Sequence, residues 1–363
     1  IFNTALHLSG GAAWRGIILE YSVSEIRKWD RAGMAQWERL LLAEGLRPEA
    51  GPDYICGVFD GDRLVATGCC CRTTLRCFAV DSEYQGQGLL NTVLTQLMDY
   101  QAQHDIYHVF LYTKPASARF FADLGFYEID RAENSLVFME NRPNGFERYC
   151  AGLEKYRADG SSAAIVMNAN PFTLGHRYLV ERAAAMYDHV HVFVLSEDAS
   201  LVPFAVRRQL VLNGTADIPN VSCHETGPYM ISSATFPSYF LRDEREAIIR
   251  HAQLDARLFI RIGAALGISA RCVGEEPSSL VTGIYNDVLA KCLPEAGIAC
   301  VVIPRLELNG MAVSASTVRQ LIHDGRLADI RPLVPQCTWD YFSSPEAQPV
   351  IARMIGENEV KHY

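Results

Sequence analysis

The sequence predicts a two-domain α/β chain: a mixed α+β domain, then a Rossmann-like domain built on a parallel sheet. Three observations predict it. The chain has 363 residues, more than one ordinary hydrophobic core accommodates. A breaker-rich stretch at 141–162 separates two textures: Asn141-Arg142-Pro143-Asn144-Gly145, a polar helical piece, then Asp159-Gly160-Ser161-Ser162. Beyond that stretch, apolar strands alternate with helices, as in a parallel sheet covered on both faces.

In the first part, residues 25–43 carry helical spacing through Ile26, Trp29, Met34, Trp37, Leu40 and Leu41. Residues 55–59 read as a strand, and Asp60-Gly61 turns it tightly into 64–71. A third strand ends at Phe78-Ala79-Val80. Residues 89–103 read as a helix, 107–112 as a strand, and 116–124 as a helix stopped by Gly125. In the second part, 163–167 is an apolar strand, followed by a loop and a helix over 176–186. Strands at 190–195, near Val221, at 271–273 and at 299–303 follow, with helices near 205–215, Arg245 and Leu258. The expected division is 1–142, a linker at 143–162, a catalytic domain at 163–340 and a helical tail at 341–363.

Composition narrows the function. Hydrophobic residues make up 49% and charged residues 21%, the balance of a folded chain. The net charge of −9 argues against a broad nucleic-acid surface, while leaving room for a local phosphate pocket. No run of about 18 uncharged apolar residues suggests a membrane span, and the N-terminus lacks a signal-peptide pattern. The 11 cysteines include Cys69-Cys70-Cys71 but no CxxC pair at zinc spacing. They read as small buried residues in a reducing cytoplasm.

The sharpest chemical signal is Asn168-Ala169-Asn170-Pro171-Phe172-Thr173-Leu174-Gly175-His176, set between a strand and a helix. A helix N-terminus offers unpaired N–H groups and partial positive charge to phosphate. Gly175 lets a nucleotide approach the backbone. Thr173 can donate a hydroxyl hydrogen bond, and His176 a ring N–H to a triphosphate whose charge shifts as pyrophosphate leaves. About 140 residues on, Val313-Ser314-Ala315-Ser316-Thr317-Val318-Arg319 opens another helix. Its serines can cap the helix and hold phosphate, and Arg319, one turn in, can reach the β- or γ-phosphate. These two stretches resemble the T/H-x-G-H and I-S-x-S-x-x-R motifs of the nucleotidylyltransferase superfamily. Pro203-Phe204-Ala205-Val206-Arg207-Arg208 resembles the superfamily's element that brings an arginine to the triphosphate; spacing favours Arg207 over Arg208.

Longer runs resemble the [citrate (pro-3S)-lyase] ligase family across most of the chain. They are 168–179, Ile231-Ser232-Ser233-Ala234-Thr235-Phe236-Pro237-Ser238-Tyr239-Phe240-Leu241, Val273-Gly274-Glu275-Glu276-Pro277 with Ile284-Tyr285-Asn286, and 314–319. The resemblance implies that ATP and acetate form acetyl-adenylate and pyrophosphate. A thiol then takes the acetyl group, on the phosphoribosyl-dephospho-coenzyme A arm of the acyl carrier (gamma) subunit of citrate lyase. Mg²⁺ is expected on the phosphate oxygens, without an assigned protein ligand. Ser232, Ser233 and Thr235 suit the vicinity of a short acid; Glu275 suits the metal or the ribose. An ordinary helix cap and an exposed Glu pair are the competing readings.

In the first domain, Gln85-Gly86-Gln87-Gly88-Leu89-Leu90 resembles the pyrophosphate loop of GCN5-related N-acetyltransferases (GNAT), and 120–126 resembles that fold's helix-to-Gly-Phe element. Leu90 stands where the motif has Gly or Ala. Phe121 stands where many members have a Tyr that protonates the departing thiolate, and phenylalanine has no proton to give. The expected role of Gln85, Gly86, Gln87 and Gly88 is therefore binding of the coenzyme-A-like arm; a degenerate, purely structural domain is the competing reading. The alternatives are a plain nucleotidylyltransferase acting on phosphopantetheine or nicotinamide mononucleotide, an acetyl-CoA-dependent acetyltransferase, and a nucleotide-sensing binding protein.

Overall fold

The computed structural model describes residues 21–48, 51–132, 135–197, 200–230, 244–275 and 280–356. The expected acid-pocket residues Ser232, Ser233 and Thr235, and the pair Glu276-Pro277, lie outside them. Contacts divide the chain into two compact units, 1–107 and 108–363.

The first unit holds β1 (Ser22–Glu25), α1 (Arg31–Ala43), β2 (Tyr54–Asp60), β3 (Arg63–Cys71), β4 (Thr74–Val80) and α2 (Leu89–Gln103). The four strands pair antiparallel in the order β1-β2-β3-β4. The β2–β3 hairpin forms at the expected turn, with Gly61 at φ 58°. The first helix begins later than its apolar spacing suggests. The Asp30 carboxylate accepts from the N–H groups of Ala32 and Gly33, both at 3.1 Å, and fixes the N-terminus there. Trp29, read as part of that helix's apolar face, is 75% exposed. Cys56, Cys69 and Cys70 are fully buried, and none of the eleven cysteines forms a disulfide. Burial pushes the Cys56 thiol up to about 12, so it behaves as an apolar residue.

The second unit begins with β5 (Phe110–Thr113), α3 (Pro115–Asp123), β6 (Tyr127–Ala132), β7 (Leu136–Glu140) and α4 (Gly145–Leu153). Both β5 and β6 pair antiparallel with β7. Then follow β8 (Ser162–Met167), α5 (Leu174–Ala184), β9 (His189–Val194), α6 (Phe204–Thr215), β10 (Val221–Glu225), α7 (Glu244–Leu266), β11 (Ile268–Gly274), α8 (Leu280–Glu295) and β12 (Ala299–Ile303). A short hairpin, β13 (Glu307–Leu308) and β14 (Met311–Ala312), leads to α9 (Ala315–His323), α10 (Gln336–Phe342) and α11 (Gln348–Gly356). Strands β8 to β12 form a parallel sheet in the order β10-β9-β8-β11-β12. The order reverses between β8 and β11, where ligands bind in such sheets. No helix among the described residues is long and apolar enough to cross a membrane.

Contacts divide the chain before β5, not within the breaker stretch at 141–162, because one core crosses that stretch. Phe110, Phe138 and Phe146 share a buried cluster with Leu258 and Phe259 of α7. Arg257 and Arg261 of the same helix reach back to Asp130 and Glu147. The tail does not stand alone either, since Phe342, Val350 and Met354 pack with Val318 and Ile322 of α9.

Candidate functional site

A cleft of about 680 Å³ opens at the carboxyl ends of β8, β11 and β12. Two helix N-termini meet at its rim. The first belongs to α5. Thr173 is its N-cap, with extended backbone, and its hydroxyl accepts the His176 N–H. The Thr173 N–H in turn donates to His176 Nδ1 at 3.1 Å, a reciprocal capping box. Because Nδ1 accepts that bond, the ring proton of the neutral imidazole sits on Nε2. His176 lines the cleft half-buried and stacks on the fully buried Phe172 ring, centroids 5.8 Å apart. Burial first, then the charges of Arg319 and Arg305, pull its pKa down to about 4. The imidazole is therefore a fixed neutral donor at physiological pH.

The second N-terminus belongs to α9. Ser314 caps it by accepting the Thr317 N–H at 3.1 Å, and its hydroxyl also lies 2.8 Å from those of Ser316 and Thr317. Ser314 and Ser316 line the cleft, while Thr317 is exposed beside it. Arg319, 4% exposed, donates from Nη1 to the Asn170 carbonyl at 2.6 Å and lines the cleft. This bond ties the two signature stretches together across 149 positions. Asn170 Oδ1 accepts the Val202 N–H at 3.0 Å, and the Asn168 amide exchanges hydrogen bonds with Ser200 at 3.0 and 3.1 Å. Both asparagines border the cleft. Pro171 and Phe172 are buried beneath it: a cis peptide precedes Pro171, and Phe172 presses on Gly214, where an added Cβ would lie 2.4 Å from the ring.

Arg207 sits differently from its expected place at the triphosphate. It is fully buried, and its guanidinium donates to the carbonyls of Val202 (3.0 Å), Asn168 (2.8 Å), Leu195 (2.9 Å) and Glu197. It braces the ends of β8 and β9 from below and does not line the cleft. The helix α6 is buried on the side that carries Arg207; Arg208 turns outward to Glu225 at 2.8 Å. Glu275 is exposed at the cleft edge, and its carbonyl accepts Arg305 Nε at 2.7 Å.

Several cleft residues have no role assigned from the sequence, although Tyr285 and Asn286 belong to a run that carries the family resemblance. Arg305 follows β12 at a position no motif marks. Arg271, Thr282, Tyr285 and Asn286 form another part of the wall. One signal was available: Arg271 interrupts an otherwise small and apolar strand, where a charge demands a partner. Among the described residues, no group of three His, Cys, Asp or Glu is placed to hold a metal ion. Glu275 supplies a carboxylate at the cleft edge.

In the first unit, Gln85, Gly86, Gln87 and Gly88 are exposed ahead of α2. Gly86 and Gly88 take φ of 79° and 78°, and no side chain caps α2. That leaves first-turn N–H groups to a ligand or to water. In α3 of the second unit, Phe121 is 2% exposed and edge-on to Phe120 and Phe126, a packing residue.

Two family models match the chain: "Citrate lyase ligase C-terminal domain" over residues 162–342, and "Acetyltransferase (GNAT) family" over 17–126. The chain is 35% identical over 330 residues to [citrate [pro-3S]-lyase] ligase of Escherichia coli, covering 88% of this chain and 93% of that protein. It is 41% identical over 286 residues to the [citrate [pro-3S]-lyase] ligase of Klebsiella pneumoniae, covering 77% and 84%. Among solved structures, a GNAT-family acetyltransferase from Staphylococcus aureus aligns with 34% of this chain and 100% of its own, at 16% identity and a TM-score of 0.29.

Proposed function

The chain belongs to the [citrate [pro-3S]-lyase] ligase family, and on that premise we propose that it activates acetate with ATP and passes the acetyl group to the thiol of the citrate lyase acyl carrier subunit. An acetate oxygen attacks the α-phosphorus of ATP, forming a P–O bond as the bond to pyrophosphate breaks. The carrier thiol, on its phosphoribosyl-dephospho-coenzyme A arm, then attacks the acetyl carbonyl. AMP leaves, a thioester forms and the thiol proton passes to solvent.

The residues of the two signature stretches and Arg207 each have a task in this reading. His176 donates Nε2–H to phosphate oxygens as charge moves onto pyrophosphate, a donor that strengthens in the transition state. The N-terminus of α5, with Thr173 and Gly175, and that of α9, with Ser314, Ser316 and Thr317, receive the triphosphate from two sides. Arg319 supplies a fixed positive charge there. Asn168 and Asn170 hold the loop, and Pro171, Phe172 and Arg207 support it from beneath. Mg²⁺, when bound to the triphosphate, neutralises part of its charge. The exposed Gln85–Gly88 loop receives the phosphates of the coenzyme-A-like arm, and the reaction belongs to the cytoplasm, where free thiols persist.

The observation that carries this reading is the joining of the two stretches: Arg319 Nη1 meets the Asn170 carbonyl at 2.6 Å, so both helix N-termini face one cleft. The test is pyrophosphate release with acetate present or absent and with or without the thiol form of the carrier subunit. Sustained release that needs both supports the proposal. Release driven by a phosphate-bearing acceptor such as phosphopantetheine, with acetate irrelevant, overturns it.

A further inference from the structure

Arg271 lies mid-strand in β11, between small and apolar neighbours, with its side chain 5% exposed and lining the cleft. Its guanidinium is fixed on several sides. Nη1 donates to Asp255 Oδ2 at 3.1 Å, and the Tyr285 hydroxyl donates to the same oxygen. The Phe259 ring lies 4.5 Å and the Tyr285 ring 5.9 Å from its central carbon. Nε has no hydrogen-bond partner. Burial and the Asp255 carboxylate hold the Tyr285 phenol far above its ordinary value, so it remains a donor.

This arrangement is costly as mere architecture. A buried ion pair adds little over apolar packing, and an unsatisfied buried N–H is destabilising. Asp255 and the two rings immobilise the guanidinium yet leave its Nε–H uncommitted in a side chain that lines the cleft. A planar guanidinium held this way matches a carboxylate, which it can grip through two parallel hydrogen bonds. Val166 and Val273 add apolar surface to the cleft lining, while Thr282 and Asn286 add small polar groups.

We propose that Arg271, oriented by Asp255 and Tyr285, anchors the carboxylate of the short acid substrate. The anchor would hold one carboxylate edge and leave an oxygen for attack on the α-phosphorus. The inference rests on the adenylation reading above and adds to it the acid subsite.

The test is acetate-dependent exchange of labelled pyrophosphate into ATP, measured in the full chain for the unchanged protein, R271Q, R271K and Y285F. Loss of a charge-assisted hydrogen bond predicts an acetate KM about 10- to 100-fold higher in R271Q. The KM for ATP should stay within about twofold of the original, and R271K should recover part of the loss. Y285F keeps the ring and is predicted to raise the acetate KM several-fold; it decides the question if R271Q does not fold. An unchanged acetate KM in a folded R271Q or in Y285F overturns the inference. So does an equal rise in both KM values, which would make Arg271 a frame residue. Absence of acetate-dependent exchange in the unchanged protein would instead overturn the adenylation reading itself.

Discussion

Gly175 packs its α-carbon against the carbonyl oxygen of Val313 so closely that an added Cβ would lie 2.4 Å from it. The obstructing atom is backbone and sits just ahead of the Ser314 cap. Gly175 therefore sets the approach of one helix N-terminus to the other, a role distinct from letting a ligand near the backbone. The G175A variant should lose about 1–3 kcal/mol of stability and show an ATP KM raised by about tenfold or more as the two loops part. Thermal melts and ATP titration check this. Gly152, with nothing within 4 Å of its added Cβ and no positive φ, is the control; G152A should be neutral or slightly stabilising.

Replacing His176 by Ala should lower the adenylation rate by about 10²-fold or more while the chain stays folded, since one transition-state donor is lost. Near-normal turnover would remove His176 from the active groups. The pH profile carries a separate signature. The imidazole pKa is pulled down to about 4, so the neutral donor form persists above that value. The rate should show no His176 inflection near the usual 6.5, and loss of this contribution should appear only as pH falls towards 4. A rate profile that titrates near 6.5 and loses that limb in H176A would contradict the lowered pKa.

Arg207 and Arg319 should respond differently to substitution. Removing the Arg207 guanidinium strands the carbonyls of Asn168, Leu195 and Val202, so R207M should destabilise the chain by about 3 kcal/mol or more. Arg319 lines the cleft, and R319A should additionally weaken ATP handling. Equal ATP KM values in both variants, after correction for the folded fraction, would contradict this assignment.

A buried histidine pair sets the acid limit of stability. His191 Nδ1 and His224 Nε2 are 3.0 Å apart at 0% and 6% exposure. Burial, with the neighbouring histidines second, lowers their pKa to about 3 and about 4. Between 6.5 and those values the unfolded chain binds protons that the folded chain refuses. Stability is therefore complete above about 6.5 and falls with pH by about 1.4 kcal/mol per unit for each such group. Urea unfolding at pH 7 and pH 5 measures the slope. A double variant, H191L with H224L, removes both polar partners together and should take away their share of the slope, leaving that of His176; an unchanged slope would move the acid sensitivity elsewhere.

The parts of the site legible in the sequence are those made by local backbone chemistry. Thr173 and Ser314 each cap a helix within three residues, and such caps read directly from spacing. The strand at 163–167 is likewise legible as an uninterrupted apolar run buried on both faces, and the one at 190–195 is apolar apart from His191. What escaped depends on distant contacts. Which way Arg207 turns is decided by carbonyls at the ends of β8 and β9, not by its neighbours in α6. Arg271 acquires meaning only when α7 and α8 bring Asp255 and Tyr285 to it. Residues 244–266 form one helix where two were expected, and α8 went unread, with Gly283 and Pro294 inside its bounds. Strands β6 and β7 lack a tight-turn signal between them, and their core partner α7 begins more than 100 residues later.

The most direct measurement of the central claim is exchange of labelled pyrophosphate into ATP with acetate and without any carrier subunit. The account predicts exchange that requires acetate, persists without the carrier thiol and falls sharply in H176A. Exchange indifferent to acetate, or unaltered in H176A, would contradict it.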